Sequence, residues 1–181
     1  FPFLVFAQTD SGSMLITAVS NYNDGKYASA AKMLDELISQ SKDNDAAWYY
    51  RGMCAVYEND RVVAETCFKK AVELDGKNFW YRYRLASLYS ATSRGELAMD
   101  IYEKLLADFP KKSEIYFELV ELYASQKEFD KALDTIEEIE KIFGTTEPMA
   151  VYRFNILRMI GRQDEAFKSL ESYNEKYSSP Y

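Results

Sequence analysis

Residues 45–78 read DAAWYYRGMCAVYENDRVVAETCFKKAVELDGKN, and residues 79–112 read FWYRYRLASLYSATSRGELAMDIYEKLLADFPKK. Laid one over the other, the two stretches put Ala64 on Ala98, Phe68 on Tyr102 and Gly52 on Ala86. The same alanine recurs at 30, 132 and 166, an interval of 34 residues each time, and a bulky apolar residue always follows four places later: Leu34, Phe68, Tyr102, Ile136, Leu170. A period of that length is one supersecondary unit that cannot bury its own apolar face and must stack on a neighbour. The apolar residues recur at helical spacing, so each unit is a pair of helices, in residues 45–78 spanning 45–58 and 61–74. Small residues such as Gly52, Ala64, Ala86 and Ala98 let paired helices approach, while Phe68, Tyr89 and Tyr102 fill the grooves between them. Short polar turns are expected at Asn59-Asp60, Ser93-Arg94, Gln126-Lys127 and Gly161-Arg162.

Composition agrees with an all-α chain. Of 181 residues, 48% are hydrophobic and only 4 are Pro and 7 Gly, so long helices and few punctuated turns are expected. The net charge of −7 disfavours nucleic acid as a partner, because phosphate binding needs clustered Lys and Arg. There is no histidine, which removes the commonest general base and metal ligand. No cofactor, metal site or catalytic residue is expected, and the chain reads as a non-enzyme. The acidic run Glu137, Glu138 and Glu140 is expected to be a solvated helix face. Cys54 and Cys67 are not placed to face each other across a hairpin, and no disulfide is expected.

With the alanines in register, the chain resembles the tetratricopeptide repeat family, whose pattern is Trp-x2-Leu-Gly-x2-Tyr, then Ala-x3-Phe, then Pro. Five copies fit: 11–44, 45–78, 79–112, 113–146 and 147–180. The second carries Trp48, Gly52, Ala64, Phe68 and Ala71 at the family positions; the third carries Leu85, Ala86, Tyr89, Ala98, Tyr102 and Pro110; the fourth Tyr116, Leu119, Tyr123 and Ala132. Arg51 and Ala55 depart from it, and the terminal copies, with Met14 and Ala150 at the Trp position, match least. The resemblance implies a right-handed superhelical solenoid of antiparallel helix hairpins that binds a protein or peptide along the first helix of each copy. Carried onto this chain, the family's groove positions give Tyr49, Tyr50, Met53 and Tyr57 in copy two and Trp80, Tyr83 and Arg84 in copy three. Copies four and five contribute Phe117 and Tyr152. Tyrosine and tryptophan there suit a surface that alternates between water and a bound segment. Tyr49, Met53, Trp80, Tyr83 and Phe117 are expected to form one apolar strip. The Lys/Asn clamp by which some family members hold a carboxylate tail is not matched, since Tyr49 and Met53, or Tyr83 and Ser87, stand at its positions. Arg84 is read as a solvated or paired side chain.

The two ends carry separate expectations. Phe1-Pro2-Phe3-Leu4-Val5-Phe6-Ala7 has the small-residue pattern of a cleavage site and reads as a signal-peptide remnant or an N-terminal strap, implying an exported, bacterial, periplasmic or cell-envelope protein. No stretch is long enough to span a bilayer. The last helix carries Phe167, Leu170, Tyr173 and Tyr177, so its outer face is expected to associate, as a homo-oligomer or with more of a longer protein. The functional reading is a protein-binding adaptor. The alternatives are the docking part of a longer, multi-domain protein and a self-assembling array.

Overall fold

The computed structural model describes residues 11–177, in ten helices with no strand among the described residues. The first helices of the hairpins are α1 (Ser11–Asn23), α3 (Asp45–Tyr57), α5 (Phe79–Ala91), α7 (Ser113–Ser125) and α9 (Glu147–Met159). The second helices are α2 (Tyr27–Gln40), α4 (Arg61–Leu74), α6 (Gly95–Asp108), α8 (Phe129–Phe143) and α10 (Gln163–Tyr177). Starts within each set are 34 residues apart, the interval of the alanines. The signal-like segment 1–7 lies outside the described residues.

The turn inside each hairpin is built the same way. Gly25, Asn59, Ser93, Lys127 and Gly161, one per copy, all have positive φ. After α3, the Asn59 N–H donates to the Val56 carbonyl and the Asp60 N–H to the Ala55 carbonyl. The pattern repeats at Gly25–Lys26, Lys127–Glu128 and Gly161–Arg162. This is the Schellman arrangement, in which a residue in the left-handed region satisfies the last helical carbonyls. The chain then enters the next helix, and at α4 the Asp60 carboxylate accepts from the Val63 N–H, an N-cap.

The chain divides into two compact units, the first ending at Ala91 and the second beginning at Thr92, so the third hairpin contributes one helix to each. In the first unit, α1 pairs with α2 and α3 with α4, α3 packs on α2, and α5 packs on α4. Met14, Ala18, Ala30, Leu34, Leu37 and Ala47 form the core between its first hairpins. In the second unit α6 packs on α7, α7 pairs with α8, α9 packs on α8 and pairs with α10. Its core is built on Tyr102, Leu105, Ile115, Tyr116, Ile136 and Ile139, each at 1% exposure or less. All five periodic alanines, Ala30, Ala64, Ala98, Ala132 and Ala166, are 0% exposed, as expected of residues chosen for close helix approach. At Gly52 the approach is closer still: a methyl group there would lie 2.7 Å from the Phe68 ring, so glycine allows α3 to lie against α4. Cys54 and Cys67 are free and buried, and burial pushes both thiols up to about 11.

Candidate peptide-binding surface

Within each unit, residues expected to line a groove meet in aromatic clusters. In the first unit, Tyr50 and Tyr57 of α3 meet two tyrosines that sequence reasoning passed over, Tyr22 at the end of α1 and Tyr27 at the start of α2. Tyr22 is edge-on to Tyr27, Tyr50 and Tyr57 at 5.6, 5.7 and 5.9 Å between ring centroids. Tyr27 and Tyr57 stack at 4.0 Å with an interplanar angle of 5°. Tyr57 is 56% exposed, so the cluster is a basin floored by rings and open on one side. Tyr22 lies repeat-wise at a groove position of the weakly matching first copy, a signal the sequence did carry. Tyr27 sits at the head of a second helix, where no groove position is expected.

Arg84 is the basin's charged member. Its side chain is half-buried, with the Nε shielded from solvent and making no hydrogen bond. It is near enough for its charge to draw the Tyr22 hydroxyl toward ionisation, against burial and the neighbouring Tyr57, which hold that phenol above its usual range. An unpartnered guanidinium Nε beside phenol rings is a ready donor to a carboxylate or a carbonyl.

Among the other first-unit candidates, Tyr49 adjoins the cluster, its ring edge-on to Tyr50 at 5.2 Å. Tyr49 is half-buried between hairpins, with its ring 4.9 Å from Tyr81 and 6.1 Å from Phe68. Met53 is 7% exposed, so its side chain belongs to the core and offers a ligand little surface. Trp80, 45% exposed, and Tyr83 gather around Phe79 at 5.0 and 5.6 Å.

In the second unit Phe117 and Tyr152 meet at 6.5 Å, and the Tyr152 hydroxyl donates to Glu121. That carboxylate, then burial, pushes Tyr152 up to about 12. The surface there is acidic where the first unit's is aromatic. Glu140, expected in solution, is instead held by Arg153 at 2.5 Å, while Glu137 pairs with Lys141 at 3.0 Å. No group of metal-ligating side chains occurs among the described residues, and no described helix is long and apolar enough to cross a membrane.

Comparison with known proteins agrees with this geometry. Family models described as tetratricopeptide repeat match residues 18–79 and 91–149. Superkiller complex protein 3 of Mus musculus is 31% identical over 110 residues, 56% of this chain and 7% of that protein. BBSome complex member bbs-4 of Caenorhabditis elegans is 31% identical over 94 residues, 50% of this chain and 20% of that protein. The chain therefore spans a small part of the length of these curated relatives. Among solved structures, a crystal structure of MamA protein superposes with a TM-score of 0.81 at 19% identity, covering 94% of this chain and 97% of that one. YrrB, described as a TPR protein with an unusual peptide-binding site, superposes with a TM-score of 0.80 at 15% identity, covering 94% and 88%. At such identities the likeness speaks for the fold.

Proposed function

We propose, since the chain belongs to the tetratricopeptide repeat family, that it is a non-catalytic scaffold holding an extended segment of another protein against the tyrosine basin of its first unit. The observation that carries this is the meeting of Tyr22, Tyr27, Tyr50 and Tyr57 beside a buried, unpartnered Arg84 Nε. Rings of this kind supply apolar area at low rotamer cost and keep a hydroxyl for hydrogen bonding. A guanidinium partly shielded from water makes a stronger hydrogen bond to a carboxylate than one in solution. The segment that fits therefore combines an apolar or aromatic side chain with an acidic residue or a C-terminal carboxylate. Repeat arrays bind along such extended faces.

Selection from a displayed random peptide library tests this. Enrichment of apolar-plus-acidic sequences whose binding is lost in Tyr57→Ala supports the reading. Enrichment of basic sequences, or binding indifferent to Tyr57, contradicts it.

A second reading, a docking module of a longer protein and one with a catalytic part elsewhere, is favoured by the 7% and 20% of the relatives' lengths that the chain spans. A gene continuing in frame past Tyr181 supports it. Export, read from Val5-Phe6-Ala7, is part of the proposal, and N-terminal sequencing of the protein from its host tests it: a start at Gln8 supports cleavage, and a retained Phe1 contradicts it.

A further inference from the structure

The tyrosine basin holds a pair of rings whose chemistry packing alone does not require. Tyr27 is the first residue of α2 and Tyr57 the last of α3, and the turn at Gly25 brings them together. Their rings lie face to face, 4.0 Å between centroids and 5° from parallel. The 34-residue period repeats this pair of positions as Arg61 with Ala91, Gly95 with Ser125 and Phe129 with Met159. The repeat therefore places no demand for two phenols where one hairpin seats on the next.

Both rings can be reached from outside, since Tyr57 is 56% exposed and Tyr27 is half-buried. Burial and the Tyr57 hydroxyl together hold Tyr22 and Tyr27 above the usual phenol range, so the three hydroxyls gather at one place as neutral groups. Tyr22 is edge-on to Tyr27 and to Tyr57 and stacks on neither. Other tyrosine pairs also lack the stack: Tyr49 and Tyr50 are edge-on at 76°, and Tyr173 and Tyr177, 4.9 Å apart, are tilted by 33°.

We propose that Tyr27 and Tyr57 are a site of oxidative coupling, where hydrogen peroxide acting through a haem peroxidase joins the two rings as dityrosine and staples α2 to α3. Each phenol loses one electron and its hydroxyl proton, becoming a phenoxyl radical. The radicals pair ortho carbon to ortho carbon, and the hydrogen on each of those carbons moves to the neighbouring oxygen, which restores both hydroxyls. The two electrons and two protons given up reduce one molecule of peroxide to two of water. Face-to-face rings already hold the reacting carbons toward one another. As the bond forms the rings must turn out of the stack, and both residues stand at helix ends, where the backbone gives most readily. Coupling also takes away the exposed face of Tyr57 that a ligand would cover. That consequence rests on the function proposed above, whereas the coupling does not.

The test is to treat the full chain, dilute, with hydrogen peroxide and a catalytic amount of a haem peroxidase, then digest the monomer band with trypsin. The expected product joins residues 27–32 to residues 52–61, the tryptic peptides that carry Tyr27 and Tyr57. It is two hydrogen atoms lighter than the two peptides together and has the blue fluorescence of dityrosine. Tyr57→Phe and Tyr27→Phe, which keep the ring and remove the hydroxyl, are each expected to abolish it, and Tyr22→Phe to retain it, with circular dichroism showing all three folded. Recovery of both peptides unlinked after the peroxide is consumed overturns the proposal. So does coupling only between chains, a linked peptide that carries Tyr22 in place of Tyr27 or Tyr57, or monomer fluorescence undiminished in Tyr57→Phe. Binding of a library-selected peptide to the untreated chain tests the basin separately, so failure of one reading is not mistaken for failure of the other.

Discussion

Lys127 shows how far a single residue is tied to the repeat. It holds φ at 63°, in the turn where Gly25 and Gly161 stand in the first and last copies. A side chain with a Cβ pays a steric cost in that region that glycine does not. Lys127→Gly is expected to stabilise the protein by about 1 kcal/mol, read as a higher midpoint in urea, and an unchanged or lower midpoint contradicts the turn geometry. Gly52 works in the opposite sense. Its missing Cβ leaves room for Phe68, which is 1% exposed and has nowhere to go, so Gly52→Ala is expected to cost about 1–3 kcal/mol of stability. A variant as stable as the wild type means that α3 and α4 lie further apart than described.

At the scale of the element, the hairpins were legible because two signals coincide: an apolar face at helical spacing, and one alanine per period wherever two helices press together. Ala98 is the clearest instance. Fully buried, it leaves no room for Ala98→Leu, which is expected to lower the melting temperature sharply by overpacking. Trp80→Ala, at a site 45% exposed, is expected to change stability much less, and equal losses from the two place Trp80 in the core. The tyrosine basin was only half legible. Family positions pointed to Tyr50, Tyr57 and Arg84, but Tyr27 lies on a second helix and reaches Tyr57 only because the Gly25 turn returns the chain beside α3. Met53 was misplaced for a related reason. Groove positions on a helix border core positions, and the tilt that decides which way a side chain faces is set by packing across hairpins, which a spacing argument does not contain.

For the whole molecule, the charged and titratable groups give a stability profile with a defined sign. Cys54 and Cys67 are held up to about 11 and Tyr152 to about 12, while Tyr81 and Tyr123, buried and donating to Asp45 and Glu103, also sit above their usual range. In each case folding favours the neutral form. Their contribution is complete below the ordinary values of 9.0 for the thiols and 10.0 for the phenols, and is lost as pH rises through the folded values. Stability is therefore expected to fall from about pH 9 upward, and Tyr152→Phe, which removes one such phenol, to flatten the fall above about pH 10. A denaturation midpoint constant between pH 8 and 11 contradicts this burial of the thiols and phenols.

The central claim is that this chain works by holding another polypeptide on the face that carries Tyr57 and Arg84. Affinity capture from the native host tests it most directly, with wild type and a Tyr57→Ala, Arg84→Gln double variant as parallel baits and the bound species identified by mass spectrometry. Circular dichroism and melting establish beforehand that both baits are folded. The account predicts a specific polypeptide enriched on the wild type and lost from the variant, because truncating an aromatic anchor in a binding site commonly costs about 2 kcal/mol or more. The same polypeptide retained equally by both baits contradicts it.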